Sequence, residues 1–247
     1  PAPERENIYY VFYTLWDNYY TNVDDIHTRY LYCAEVDMDP AFGPGRLIYK
    51  DRVLVSDSLF IQDSLAISGL AACRHANGRD WWLVMPAKYQ NRYYTYLVDP
   101  LGIHLKGVQE SGGRFDMGVG QVCFSPDGRR LAANSGYLLA NDGSKVIFFD
   151  FDRRTGKISH DRSEHIPGGY GLSNGLAFSP DSRYVYVSNH KYIYQYDFYN
   201  PDVIGSRTTV ATYDRYLYIY PGTSVGFQVT LGWMGLAPDG RIYVSAG

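Results

Sequence analysis

Apolar and polar residues alternate along most of this chain with a period of two, and Gly, Pro, Asn or Asp interrupt the alternation every few residues. That is the pattern of short antiparallel strands, and helical periodicity is nearly absent. Three stretches share one design: Val122-Cys123-Phe124-Ser125-Pro126-Asp127-Gly128-Arg129-Arg130-Leu131, Leu176-Ala177-Phe178-Ser179-Pro180-Asp181-Ser182-Arg183-Tyr184-Val185 and Gly235-Leu236-Ala237-Pro238-Asp239-Gly240-Arg241-Ile242-Tyr243-Val244. Each reads as an apolar strand, a Pro-Asp-(Gly/Ser) turn and a second apolar strand. The turn residues Asp127, Asp181 and Asp239 lie 54 and 58 residues apart. A repeat of about that length built from hairpins predicts a β-propeller, whose unit is a four-stranded blade.

An upstream copy runs from Cys73 to Val84 and aligns without gaps on Cys123 to Asn134, with Asn77-Gly78 over Asp127-Gly128. Both pairs are hairpin signals because their residues tolerate positive φ. At the cysteine position the copies carry Cys73, Cys123, Ala177 and Gly235, all small, as expected where inner strands crowd near a propeller axis. Pro3 to Asn7 resembles the turn and Ile8 to Tyr13 the strand after it. Third strands are predicted at Arg29–Val36, Tyr93–Val98, Val146–Phe151 and Tyr192–Phe198, followed by turns and weaker outer strands such as Lys157–His160. A short helical turn is an option only at Asp57–Leu65.

The predicted fold is therefore all-β: one propeller domain over 1–247, with a partial blade at 1–66, blades at 67–116, 117–168 and 169–228, and a partial blade at 229–247. Four to five blades close into a ring only with unusual geometry. The expectation is an arc of a seven-bladed propeller whose polypeptide continues in both directions, or whose open blades neighbouring subunits cover.

Composition narrows the partners. A net charge of −3 without a run of Lys or Arg argues against nucleic acid. No apolar stretch approaches the length of a membrane span. Twenty-five tyrosines (25 Tyr) favour half-buried pleated surfaces. Cys33, Cys73 and Cys123 sit among strand formers and read as buried free thiols, with a Cys33–Cys73 or Cys73–Cys123 disulfide as the alternative. No CxxC or HxxxH spacing marks a metal site.

The motifs His75-Ala76-Asn77-Gly78-Arg79-Asp80-Trp81-Trp82, Tyr94-Thr95-Tyr96-Leu97-Val98, Phe124-Ser125-Pro126-Asp127-Gly128, Phe149-Asp150-Phe151-Asp152, Phe178-Ser179-Pro180-Asp181 and Ile193-Tyr194-Gln195-Tyr196-Asp197 form an ordered series. In that order the chain resembles the N-terminal propeller region of large secreted Bacteroidota proteins of the gliding-motility-associated, type IX secretion cargo type. The resemblance implies an extracellular or cell-surface location and a role in adhesion or surface assembly. It supplies no catalytic residues.

A second resemblance is enzymatic. Ser173-Asn174-Gly175-Leu176-Ala177-Phe178-Ser179-Pro180-Asp181 with Tyr186-Val187-Ser188-Asn189 is similar to a segment of gluconolactonase-type propellers. There the Asn before the Gly is implied to be a ligand of a divalent metal, and Asn174 matches it. Gly120 and Gly232 stand where that family's second Asn and its Asp are expected, so two of the three ligand positions depart from the pattern.

The remaining candidates have plainer readings. His27, His75, His104, His160, His165 and His190 are scattered, and His75 aligns with Ser125, Ser179 and Ala237 as a structural slot at the hairpin. His160, Asp161, Glu164 and His165 read as a solvated inter-blade loop, while Asp24-Asp25 and Asp37/Asp39 read as turn chemistry. Three tyrosine clusters (Tyr9, Tyr10, Tyr13, Trp16, Tyr19, Tyr20; Tyr89, Tyr93, Tyr94, Tyr96; Tyr213, Tyr216, Tyr218, Tyr220) offer surfaces for a sugar or a protein. The last lies where the repeat lengthens, and insertions carry function. The sequence thus points to a non-enzymatic surface module, needing no cofactor, that recognises protein or glycan through Tyr213, Tyr216, Tyr218 and Tyr220. The alternative is a metal-dependent lactonase using Asn174.

Overall fold

Every Pro-Asp repeat folds as a hairpin; the first two are extended into four-stranded antiparallel meanders and the third remains two-stranded. The structure is a computed structural model and describes residues 1–14, 30–56, 69–87, 90–111, 119–136, 143–168 and 174–246. β1 (Ile8–Thr14), β2 (Tyr30–Asp37) and β3 (Arg46–Ser56) form a three-stranded sheet. β4 (Ala71–Arg74), β5 (Trp81–Pro86), β6 (Arg92–Asp99) and β7 (Gly102–Glu110) form a four-stranded one. Two more four-stranded sheets follow: β8 (Val119–Phe124), β9 (Arg130–Gly136), β10 (Ser144–Asp152) and β11 (Lys157–Ile166), then β12 (Leu176–Phe178), β13 (Tyr184–Ser188), β14 (Tyr192–Asp197) and β15 (Thr208–Thr212). β16 (Leu217–Ile219) pairs with β17 (Gly226–Gln228), and β18 (Leu231–Leu236) with β19 (Ile242–Ala246). Strands pair in chain order, the meander of a propeller blade. The expected blade at 169–228 thus takes in a separate two-stranded sheet. Among the described residues no helix is long and apolar enough to cross a membrane. The chain divides into two compact units, Pro1–Gly118 with Asp152–Ile158 and Val119–Phe151 with Ser159–Gly247.

The four hairpins are built alike. The N–H groups of His75, Ser125, Ser179 and Ala237 donate across the turn to Asp80, Arg130, Tyr184 and Arg241 carbonyls at 2.8, 3.0, 2.8 and 2.9 Å. Asn77, Asp127, Asp181 and Asp239 each accept, through Oδ1, the N–H two residues on, at 3.0–3.1 Å. This self-bonding is why Asn and Asp hold that slot. The following residue has positive φ in every copy: Gly78 75°, Gly128 69°, Ser182 63° and Gly240 79°.

Ser182 is the exception among glycines. Its Oγ accepts the Asp127 N–H of the preceding hairpin at 3.0 Å, which offsets the left-handed strain. Ser182→Ala keeps the strain and loses the bond, so it is expected to cost about 1–2 kcal/mol, while Ser182→Gly stays within about 0.5 kcal/mol of the native chain. Urea denaturation ranks the two; an alanine variant at least as stable as the glycine one refutes this account.

Each unit has its own core. In the first, Leu31, Cys33, Leu83, Met85, Tyr94, Tyr96 and Val98 pack together. Tyr93 and Tyr94 are both fully buried although adjacent, because β6 is a central strand covered on both faces. This corrects the second tyrosine cluster: the Tyr93, Tyr94 and Tyr96 side chains belong to the core, not to a binding surface, and Tyr89 lies outside the described residues. In the second unit, Phe148, Leu176, Phe178, Val185, Val187, Tyr196 and Phe198 pack together, with Phe148 edge-on to Tyr196 at 5.0 Å.

Two further expectations change. His160, Asp161, Glu164 and His165 lie on β11 and not in a loop. On that edge strand Arg162 pairs with Asp150 of β10 at 2.8 Å, His160 Nδ1 lies 3.0 Å from the same carboxylate, and Glu164 accepts the Tyr196 hydroxyl at 2.9 Å. Crowding also fails as a general reason for the small residues at the cysteine position, since a Cβ on Gly235 meets nothing within 4 Å among the described residues. Cys33, Cys73 and Cys123 are all free thiols, so neither disulfide is formed. Asp57–Leu65, His27, Asp24-Asp25, Trp16, Tyr19 and Tyr20 lie outside the described residues.

Candidate functional site

Asn174 lies two residues before β12 and is buried, 2% exposed. Its carboxamide fills the space over Gly136, where a Cβ would come 1.7 Å from Nδ2. At Gly120 an ideal Cβ would lie 1.8 Å from the Asn134 carbonyl oxygen, and at Gly232 it would lie 2.7 Å from Ser245 Oγ. Neither position has room for a ligating side chain. Among the described residues no three His, Cys, Asp or Glu side chains converge as a metal would require. A divalent ion wants several oxygen donors including carboxylates, and these residues do not fit one.

What surrounds Asn174 is a set of struts. Ser188 Oγ accepts the Gly175 N–H at 2.8 Å and donates to the Gly232 carbonyl at 2.7 Å. Asn134 Nδ2 donates to the Gly175 and Ser188 carbonyls at 3.1 and 3.0 Å. Gln121 Oε1 accepts the N–H groups of Leu176 at 2.8 Å and Met234 at 3.1 Å, and its Nε2 donates to the Met234 carbonyl at 2.6 Å. β8, β12 and β18 each stand at the edge of a sheet, so one side chain satisfies backbone groups that no neighbouring strand reaches. Sequence reasoning missed this residue, because a polar residue in a strand looks like ordinary alternation.

His75 and His104 make structural contacts. His75 Nδ1 accepts the Asn77 N–H at 3.0 Å and its Nε2 contacts the Arg154 carbonyl at 3.1 Å, while His104 contacts Asp99 at 3.1 Å. Asp37 pairs with Arg46 at 3.1 Å and Asp39 caps Ala41 N–H at 2.9 Å, which is turn chemistry.

Tyr213 and Tyr216 come together at an open cleft of 320 Å³, lined by Thr212, Tyr213, Asp214, Tyr216, Val229, Thr230, Leu231, Val244 and Ser245. Its walls hang on two adjacent carbonyls: Tyr213 N–H donates to Lys191 at 2.7 Å and Leu231 N–H to His190 at 3.1 Å. His190 is itself held at φ 76°, and burial lowers its imidazole pKa, favouring the neutral form. The Tyr216 carbonyl accepts both the Tyr213 hydroxyl and the Val229 N–H, each at 3.1 Å. Asp214 Oδ1 accepts the Tyr216 N–H at 2.9 Å. The cleft wall is thus fixed before any ligand arrives.

Beyond the cleft, Tyr218 lies on β16 and Tyr220 just after it, their rings 6.2 Å apart and edge to face. Tyr216, Leu217, Tyr218, Ile219 and Tyr220 are all 43–58% exposed. Alternate residues of a strand face opposite sides, so along Tyr216–Tyr220 neither side is buried. An isolated two-stranded hairpin is marginal in water, and its contiguous apolar surface is the kind that marks a contact site.

No family model matches the sequence, and no curated protein matches it. Solved structures do. One described as the Dos1 propeller matches 90% of this chain and 62% of its own length, at 12% identity and a TM-score of 0.52. A protein from Bacteroides fragilis described as a candidate 6-phosphogluconolactonase matches 80% of this chain and 57% of its own length, at 13% identity and a TM-score of 0.47. A protein from Lactobacillus plantarum matches 90% of this chain and 67% of its own, at 14% identity and a TM-score of 0.47. The chain spans less than two thirds of the first two of these structures. Taken with the four-stranded meanders, the likeness to the Dos1 propeller identifies the fold as an all-β propeller of four-stranded blades. The chain is a propeller module.

Proposed function

We propose that this module recognises protein or glycan at a cell surface or outside the cell, without catalysis, and that the Tyr216–Tyr220 arm makes the contact. One observation carries the reading: five consecutive large residues, Tyr216 to Tyr220, all stand exposed, on both sides of their strand. The ordered motif series, with its resemblance to secreted Bacteroidota propellers, supports the location and the role in adhesion or surface assembly. Against a lactonase stand the crowded glycines at two of three ligand positions.

The test compares the chain with a Tyr216→Ser/Tyr218→Ser/Tyr220→Ser variant on arrays of bacterial envelope glycans and surface proteins. A retained ligand is expected to be weakened about tenfold or more in a variant whose thermal midpoint is unchanged, because aromatic anchors carry most contact energy. Equal retention, or no ligand on either array, counts against the arm. Lactone hydrolysis with a stoichiometric divalent ion that Asn174→Ala removes would replace recognition with catalysis.

A further inference from the structure

We infer that the cleft beside Tyr216 is a saccharide subsite that accepts a neutral or amine-bearing sugar ring and rejects phosphorylated and acidic sugars. This rests on the recognition reading and gives it a ligand class. Size is the first argument. At 320 Å³ the cleft stands at the small end of ligand pockets, which run from about 300 Å³ upward, so it suits one or two sugar rings and not an extended chain.

Chemistry is the second argument. The lining residues include two tyrosines, the hydroxyl-bearing Thr212, Thr230 and Ser245, and one acidic residue, Asp214. A tyrosine ring offers an apolar face to the C–H side of a pyranose, while hydroxyls and a carboxylate take its O–H groups. An ionised carboxylate only accepts hydrogen bonds, and those it accepts from sugar hydroxyls are charge-assisted.

The same carboxylate sets the selectivity. Among the described residues that line the cleft none is Lys, Arg or His, and Asp214 is the one charged residue. A phosphate or uronate beside Asp214 would meet a like charge, with Arg215 and Lys191 adjoining the cleft but outside its lining, and an ionised phosphate, like the carboxylate, offers chiefly acceptors. An unfavourable group facing the wrong ligand is how sites discriminate. A protonated amine on the sugar instead finds an opposite charge.

Geometry is the third argument. The Tyr213 hydroxyl, the Asp214 carboxylate and the Val229 N–H all bond to the backbone of Tyr216, so little ordering remains to be done on binding.

Calorimetric titration of the 247-residue chain with N-acetylglucosamine, glucose, glucosamine, glucose 6-phosphate and glucuronate tests this. At least one of the first three is expected to bind, with the phosphorylated and acidic sugars about tenfold weaker or worse. Asp214→Asn should narrow that gap to about threefold or less, and Tyr216→Ala should weaken the bound sugar about tenfold. Leu101→Ala, at an exposed turn outside the cleft lining and the tyrosine arm, should leave it unchanged. Saturation by glucose 6-phosphate as tight as by the neutral sugars overturns the inference, as does the absence of binding by all five. If macromolecular retention still depends on Tyr218 and Tyr220 in that event, the subsite falls while recognition stands.

Discussion

Replacing Gly120 with alanine is expected to cost more than about 4 kcal/mol or to prevent folding, a loss reserved for gross steric or polar defects. The added methyl carbon would lie 1.8 Å from the Asn134 carbonyl oxygen, 2.9 Å from its carbon and 3.1 Å from Ser135 Cα. All three are backbone atoms of β9, so no side chain can rotate away. Gly120 pairs with Ser135 in the β8–β9 ladder, and relief requires the two strands to part. Parting them also drags Gln121 off the strands it ties. Gly235→Ala is the control, since a Cβ there meets nothing within 4 Å among the described residues and the change should stay within about 1 kcal/mol. Urea denaturation of both variants decides it. A Gly120→Ala chain with a native midpoint would show that β8 can shift freely, and would reopen that position to a ligating side chain.

The parts of this fold that were legible in the sequence are the local ones. The four hairpins announce themselves because Asn or Asp, a left-handed residue and the flanking apolar strands sit within a few positions of one another, and their hydrogen bonds close over the same span. β11 was legible only in its first half: Lys157–His160 follows a turn and reads as a weak outer strand, whereas the strand runs on to Ile166 through charged residues, with Arg162 meeting Asp150 across the sheet. Central burial is likewise non-local: alternation predicts one of Tyr93 and Tyr94 outside, and packing on both faces of β6 puts both inside.

The candidate cleft divides in the same way. Its tyrosines were visible as a cluster at a lengthened repeat, whereas Thr230, Val244 and Ser245 reach the cleft from β18, β19 and the residues before them. Asn174 shows the converse. Its motif is local and matches, but a metal site depends on what the other strands place opposite, and they place glycines against backbone and Ser245.

Gln121→Leu is expected to destabilise the chain by about 3 kcal/mol. The substitution preserves side-chain bulk while stranding three backbone groups: the Leu176 and Met234 N–H groups and the Met234 carbonyl. Leu176 and Met234 are buried at 0% and 3% exposure. Each buried orphan costs about 1–3 kcal/mol, and because Gln121 is itself only half-buried, water reaching the site from that side keeps the total below the full sum. Gln121→Glu separates bulk from donor chemistry. One carboxylate oxygen can still accept from both N–H groups, but the other then faces the Met234 carbonyl, acceptor against acceptor, until it is protonated. Folding therefore favours the protonated acid and raises its pKa above that of the unfolded chain. Such a group's favourable contribution is complete below the unfolded pKa and is lost as pH rises through the folded one. The glutamate variant should approach native stability in mild acid and weaken toward neutrality, relative to the native chain at each pH. The leucine variant should carry the same deficit throughout. Denaturation midpoints at about pH 5 and about pH 8 separate the two, the ordinary glutamate pKa being about 4.3. If both variants shift equally at both pH values, the Nε2 donor to the Met234 carbonyl contributes nothing, and what joins β8 to β18 is packing alone.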